Sequence, residues 1–73
     1  MTRTPLDSTS IQAVLHDPVT KEVHVELMHG RGPYSYHDVP DADVKALIGA
    51  HSCGAHFNTV FKPAHGHKAR KIG

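Results

Sequence analysis

Residues 51–73 carry Lys62, Lys68, Arg70 and Lys71 and no acid, whereas residues 1–50 hold all seven Asp and Glu residues against Arg3, Lys21, Arg31 and Lys45. A formal net charge of only +1 hides this asymmetry. A basic arm on a mildly acidic body suits a phosphate backbone or an acidic protein surface, because lysines and arginines that meet phosphates release bound counterions. Acting alone, such an arm gives salt-sensitive, non-specific binding. A specific function needs side chains from the folded body.

The stretch GRGPYSYHDVP, residues 30–40, supplies the candidates. In an extended strand Tyr34 and Tyr36 share one face while Ser35 and His37 share the other. Two roles are open to the pair. The rings can stack unpaired bases of a single-stranded nucleic acid, or they can serve as core in a chain that has two tyrosines, two phenylalanines and no tryptophan. Arg31 stands in a glycine-rich turn, where side chains are exposed, and its planar guanidinium grips phosphate well.

Other reactive residues form no constellation. There are eight histidines, but His51 and His56 are five residues apart, a spacing that does not stack them on one helical face. His65 and His67 are too few for a closed metal cage, and Cys53 has no second cysteine to pair with. Ser52 beside His51 lacks an orienting third group and reads better as a helix cap, and Asp41 and Asp43 read as acids favoured by a helix dipole. No catalytic residue, metal or other cofactor is expected, so a non-enzymatic binding module is the leading class.

These residues need a scaffold that a chain of 73 residues with 38% hydrophobic content can build once. Ile11–His16 is a branched and aliphatic run that ends at Asp17-Pro18, a turn signal. In EVHVEL, residues 22–27, Val23, Val25 and Leu27 alternate with Glu22, His24 and Glu26, the period of a strand with one buried face. HGRGP, residues 29–33, predicts a second reversal and YSYHDV a third strand. Pro40 and the two aspartates open a helix to about Ala50, with Val44, Leu47 and Ile48 on one stripe. Ser52 caps a second helix through about Val60 that buries Phe57, Val60 and Phe61, with Pro63 ending it. The expected fold is α+β: a three-stranded antiparallel meander followed by two short helices on one face, with room for a short C-terminal edge strand. The domain is expected over residues 1–61 and the basic, histidine-rich arm over 62–73.

No apolar run approaches the length of a membrane span, and MTRTPLDSTS lacks the apolar stretch of a secretory signal. With a single cysteine and no internal disulfide, the expected location is the cytoplasm.

Read in order, these features resemble the KTSC domain family, small domains found at the C-terminus of some lysyl-tRNA synthetases and as stand-alone bacterial and phage proteins. The residues that carry the resemblance are Ser8 and Ile11, Asp17 at the first turn, the strand EVHVEL, Tyr34-x-Tyr36, Val39-Pro40, and Ser52-x-Gly54-x-x-Phe57-Asn58. The chain departs from the pattern at His16, where an aromatic residue is usual, and in its ending HGHKARKI, which keeps the charge without the aromatics. The resemblance implies RNA binding. The alternative is a small phage or bacterial accessory protein that modulates a host protein, and an unpaired sheet edge would also allow pairing with a second copy. The expected binding residues are Arg31, Tyr34, Tyr36, Lys62, Lys68, Arg70 and Lys71. Ser8, Ile11, Asp17, Val39, Pro40, Ser52, Gly54, Phe57 and Asn58 are expected to be structural: Gly54 for a close helix approach, Asn58 for a side-chain hydrogen bond to neighbouring main chain.

Overall fold

The computed structural model describes residues 1–72. It is an α+β domain in which one antiparallel sheet, β1 (Thr2–Pro5), β2 (Ile11–Asp17), β3 (Glu22–Leu27), β4 (Tyr34–Tyr36) and β5 (Arg70–Lys71), is ordered β1-β2-β3-β4-β5. Helix α1 (Asp41–Ile48) and a second helical run, α2, over residues 53–65 pack on one face of it. A short 3₁₀ turn, Gly66–Lys68, leads from α2 to β5.

The sheet has two strands more than the three-stranded meander read from the sequence. β1 escaped that reading because TRTP has no buried residue and hence no apolar alternation; its pairing with β2 rests on the backbone ladder, Thr2 opposite His16 through Pro5 opposite Ala13. β5 is only Arg70 and Lys71, opposite Ser35 and Tyr34, and confirms the short C-terminal edge strand. Both edges carry the features that discourage pairing between sheets: Arg3 and Pro5 on one side, two cations on the other.

The β2–β3 turn follows its residue chemistry. The Asp17 carboxylate accepts from the backbone N–H of Val19 at 3.0 Å and of Thr20 at 3.4 Å, fastening the β2–β3 reversal. In β2, Ile11 and Val14 are both fully buried although an odd spacing would send them to opposite faces. A bulge between Ile11 and Ala13 shifts the register and returns both to the core.

That core joins Ile11, Val14, Val23, Val25 and Tyr36 of the sheet to Val39, Val44 and Leu47 around α1 and to Phe57 and Phe61 of α2. The Tyr36 ring stands edge-on to Phe57 and Phe61, at centroid distances of 6.3 and 5.1 Å, and those two rings stack at 5.6 Å. Edge-to-face pairs of this kind add about 0.5–1.5 kcal/mol each beyond area burial.

Helix α1 is shorter than the expected Pro40 to Ala50: Pro40 is its extended N-cap residue, Ile48 its last helical residue and Gly49 its C-cap. α2 begins where expected, with Ser52 Oγ accepting from Ala55 N–H at 3.3 Å, but Pro63 does not end it. The middle of α2, Phe57–Phe61, is a π-helical turn in which Lys62 N–H reaches the Phe57 carbonyl, five residues back. A fresh α-turn, Lys62–His65, then starts with Pro63 in its first turn, where the missing N–H costs nothing. The wider turn also corrects the expected burial. With more residues per turn than an α-helix, i+4 stays over i while i+3 swings outward, so Phe61 is buried and Val60 is 52% exposed.

Two predictions follow from this packing. Phe61→Ala should cost about 3–5 kcal/mol in chemical denaturation, whereas Val60→Ala should stay within about 0.5 kcal/mol of the parent; equal losses would contradict the π-turn register. The backbone N–H groups of Val19 and Thr20 hold the Asp17 carboxyl below the usual carboxylate range, and a hydrogen bond from Lys45 does the same for Asp41. A carboxyl whose folded value is depressed stabilises the fold above the unfolded value of about 4, and that contribution is lost as pH falls through the folded value. Asp17→Asn keeps an acceptor oxygen without the charge, so its melting temperature should fall less than the parent's between about pH 5 and about pH 3.

Candidate functional site

Tyr34 lies opposite Val25 and Tyr36 opposite Val23, so both rings point to the helical side of the sheet, as the strand period requires. Their roles differ. Tyr36 is 2% exposed and belongs to the aromatic core, while Tyr34, one strand residue pair nearer the β3–β4 turn, is only partly buried. Burial also pushes the Tyr36 phenol above the ordinary tyrosine value, with the neighbouring Tyr34 adding to the effect.

Between this end of the sheet and α2 the two layers part, leaving a cleft of about 440 Å³. Tyr34, Tyr36 and Phe57 supply aromatic surface, and Arg31, Lys62 and Lys71 supply charge. The lining contains no carboxylate. Each cation arrives from a different element. Arg31 comes from the β3–β4 turn, where Arg31 N–H donates to the Met28 carbonyl at 3.4 Å. Lys62 follows the π-turn, which sets it above Phe57 with Nζ 5.7 Å from the ring centroid, within cation–π range. Lys71 lies on β5 opposite Tyr34, on the same face as the ring. None of the three is ion-paired to a carboxylate among the described residues.

The wall beside Tyr34 depends on a missing side chain. Gly32 has φ +70°, and a Cβ there would lie 3.2 Å from Tyr34 Cδ2 and 3.2 Å from Tyr34 N. Only glycine brings the turn this close to the ring without strain.

The structure thus gathers five of the seven expected binding residues, Arg31, Tyr34, Tyr36, Lys62 and Lys71, into one cleft. Lys68 and Arg70 lie elsewhere. Lys68 Nζ donates to the Asp38 carbonyl at 2.9 Å, and Arg70, opposite Ser35, faces the other side of the sheet beside His24 and His37. Strand alternation turns Arg70 and Lys71 to opposite faces, and Lys71, at the sheet edge, also borders the hollow that holds Lys68 and Arg70.

Three of the nine residues expected to be structural, Ser8, Gly54 and Val39, make defined contacts here. Ser8 Oγ accepts from the N–H groups of Ser10 at 3.1 Å and Ile11 at 3.3 Å, closing the approach to β2. A Cβ on Gly54 would sit 3.0 Å from Ser10 Oγ and 3.2 Å from Ser10 Cβ, so Gly54 is the close approach that docks α2 against that same loop. Val39 is buried and its N–H donates to the Lys21 carbonyl at 3.0 Å, tying the exit of β4 to the β2–β3 turn. Asn58 departs from expectation: it is exposed and its side chain makes no hydrogen bond among the described residues. Three histidines meet carboxylates, His24 with Glu22 at 2.8 Å, His16 with Asp41 at 3.6 Å and buried His65 with Asp43 at 2.7 Å. Among the described residues, no three His, Cys, Asp or Glu side chains converge as a metal cage, and no helix is long and apolar enough to cross a membrane.

A meander with its helices on one face and an aromatic, cation-rimmed cleft at the β4–β5 end defines a small α+β domain. The profile of the KTSC domain covers residues 7–65, and the chain belongs to that family. It is 43% identical over 65 residues to an uncharacterized protein of Stutzerimonas stutzeri, an alignment covering 89% of this chain and 90% of the relative. The crystal structure of a KTSC domain protein from Yersinia pestis superposes with a TM-score of 0.87 at 29% identity, covering 99% of this chain and 97% of the other.

The contrast between the tyrosines is directly measurable. In a Tyr34→Phe variant the remaining phenol, Tyr36, should ionise above the ordinary value of about 10 when followed by ultraviolet absorbance. Ionisation at the ordinary value in a folded variant would show that the Tyr36 ring is not packed as described.

Proposed function

We propose that this protein is a non-enzymatic module that binds single-stranded nucleic acid, RNA foremost, in the cleft between β4–β5 and α2. The observation that carries this reading is the cleft's composition: the partly exposed Tyr34 ring, backed by buried Tyr36 and Phe57, beside three cations that have no carboxylate to neutralise them. Polyanions with flat, unpaired bases match both features. A base stacked on Tyr34 gains about 1–3 kcal/mol, and Arg31, Lys62 and Lys71 meet the backbone on either side. A duplex hides its base faces in its own stack and cannot use the aromatic floor.

A host protein as partner receives less support. Such a partner calls for a contiguous apolar patch, but the large exposed apolar residues, Met1, Val19, Val60 and Ile72, belong to separate stretches of the fold. Pairing with a second copy through a sheet edge is likewise discouraged by the charged and proline-bearing edge strands.

Fluorescence anisotropy with a labelled single-stranded RNA at several salt concentrations tests the proposal. Three phosphate contacts predict a slope of log affinity against log salt of about −2, and Lys62→Ala should flatten it by about 0.7. Arg70→Ala, on the other face of the sheet, should leave affinity nearly unchanged. Absence of binding at low salt, or equal losses from the Lys62 and Arg70 variants, would overturn the assignment.

A further inference from the structure

The cleft does not stop at Arg31 and Lys62. Beyond these two side chains is a second hollow of about 270 Å³, and Leu27, Arg31, Phe57 and Lys62 belong to the walls of both. The two hollows are therefore adjoining halves of one groove, with the same pair of cations on the ridge between them. Their chemistry differs. The first is floored by tyrosines and phenylalanine; the second is walled by Thr9, Ser10, His29 and Asn58, and again holds no acid.

Asn58 is the informative residue here. It occupies the π-helical turn of α2, is exposed, and makes no side-chain hydrogen bond among the described residues. Asparagine is a poor helix former, because its amide competes for local backbone groups. At this position the amide makes no such bond, so the helix bears an unfavourable residue with no structural return. What Asn58 does offer the hollow is a donor and an acceptor side by side, the arrangement that reads a base edge in two bonds.

Ser10, across the hollow, is held in place. Its N–H donates to Ser8 Oγ at 3.1 Å, its carbonyl accepts from Met28 N–H at 3.0 Å, and Gly54 lets α2 close against its side chain. A hydroxyl on a doubly hydrogen-bonded main chain and an unengaged amide, both lining one hollow, suit polar recognition. The same contacts explain why the loop at Ser8 and the helix start at Gly54 are built around each other.

We propose that this second hollow receives the nucleotide adjacent to the one stacked on Tyr34, that Asn58 reads its base with Ser10 beside it, and that Arg31 and Lys62 hold the phosphate joining the two. The inference rests on the nucleic-acid reading above and adds to it a minimal ligand of two nucleotides and a residue that sets base preference. Tyr34 then supplies sequence-tolerant stacking, and Asn58 supplies selectivity.

The test is anisotropy with four labelled single-stranded RNA homopolymers, A, C, G and U, each eight nucleotides long, competed by mononucleotides. The parent protein should rank the four homopolymers unequally, and no mononucleotide should compete as well as the preferred homopolymer. Asn58→Ala should lower affinity for the preferred homopolymer about tenfold, level the ranking and leave the salt dependence unchanged, because no cation is removed. Ser10→Ala should weaken the same preference in the same direction. Alanine is the better helix former at an exposed site, so the Asn58 variant keeps its fold, which circular dichroism verifies. If the homopolymers bind but Asn58→Ala retains the parental ranking and affinities, the second subsite is overturned while the nucleic-acid reading survives. If no homopolymer binds the parent protein, both fall.

Discussion

The contact on which this structure depends is the meeting of Tyr36 with Phe57 and Phe61. Tyr36 is the only large ring that β4 commits to the core, and both phenylalanines of the chain come to it from one helical run. That contact fixes how far α2 sits from the sheet and where along the sheet the layers stay closed. At β2 and β3 the space is filled by Val14, Val23 and Val25. Toward Tyr34 and β5 the aromatic cluster ends, the layers part, and the groove opens. The groove is a consequence of where a small core runs out of large side chains.

The π-helical turn links that packing to the candidate chemistry. By admitting one extra residue between Phe57 and the next helical turn, it keeps both phenylalanines facing the sheet, turns Val60 to solvent and brings Lys62 over Phe57. Asn58 is carried by the same turn. An ordinary α-helix over these residues would present a different set of side chains to the groove. Irregular turns inside helices are often found at functional sites, and here the irregularity has a definable geometric effect.

Much of this was legible beforehand, and the failures have physical causes. EVHVEL, the Asp17 turn and the Ser52 cap could be read because each is specified within a few residues, by alternation or by one side-chain hydrogen bond. β1 could not, because it buries nothing and exists through pairing with β2, and β5, open in the sequence as a short edge strand, likewise depends on pairing with β4. The π-turn has no apolar period of its own, and Pro63, an ordinary stop signal, is accommodated only because that turn precedes it. Of the expected binding residues, Arg31, Tyr34, Lys62 and Lys71, each singled out by charge or ring chemistry, line one cleft. Their convergence is a product of topology, since Arg31 and Lys71 meet only when β5 pairs with β4. The same pairing turns Arg70 and Lys71 to opposite faces of the sheet, a distinction that a reading of the arm as one basic run does not make. Asn58 looked structural because an asparagine usually bonds to neighbouring backbone, and only the three-dimensional arrangement shows its amide unengaged.

Recognition as proposed engages the groove on the helical side of the sheet and leaves its polar opposite face free. Titration of the isotopically labelled protein with a short single-stranded RNA, followed by amide NMR shifts, tests it most directly. The amides of Gly30, Gly32, Tyr34, Asn58, Lys62 and Ala69 should shift together, while those of Glu22, His24, Ser35 and Arg70 move little. Shifts concentrated on the latter set, or none at all in the presence of excess RNA, would contradict it.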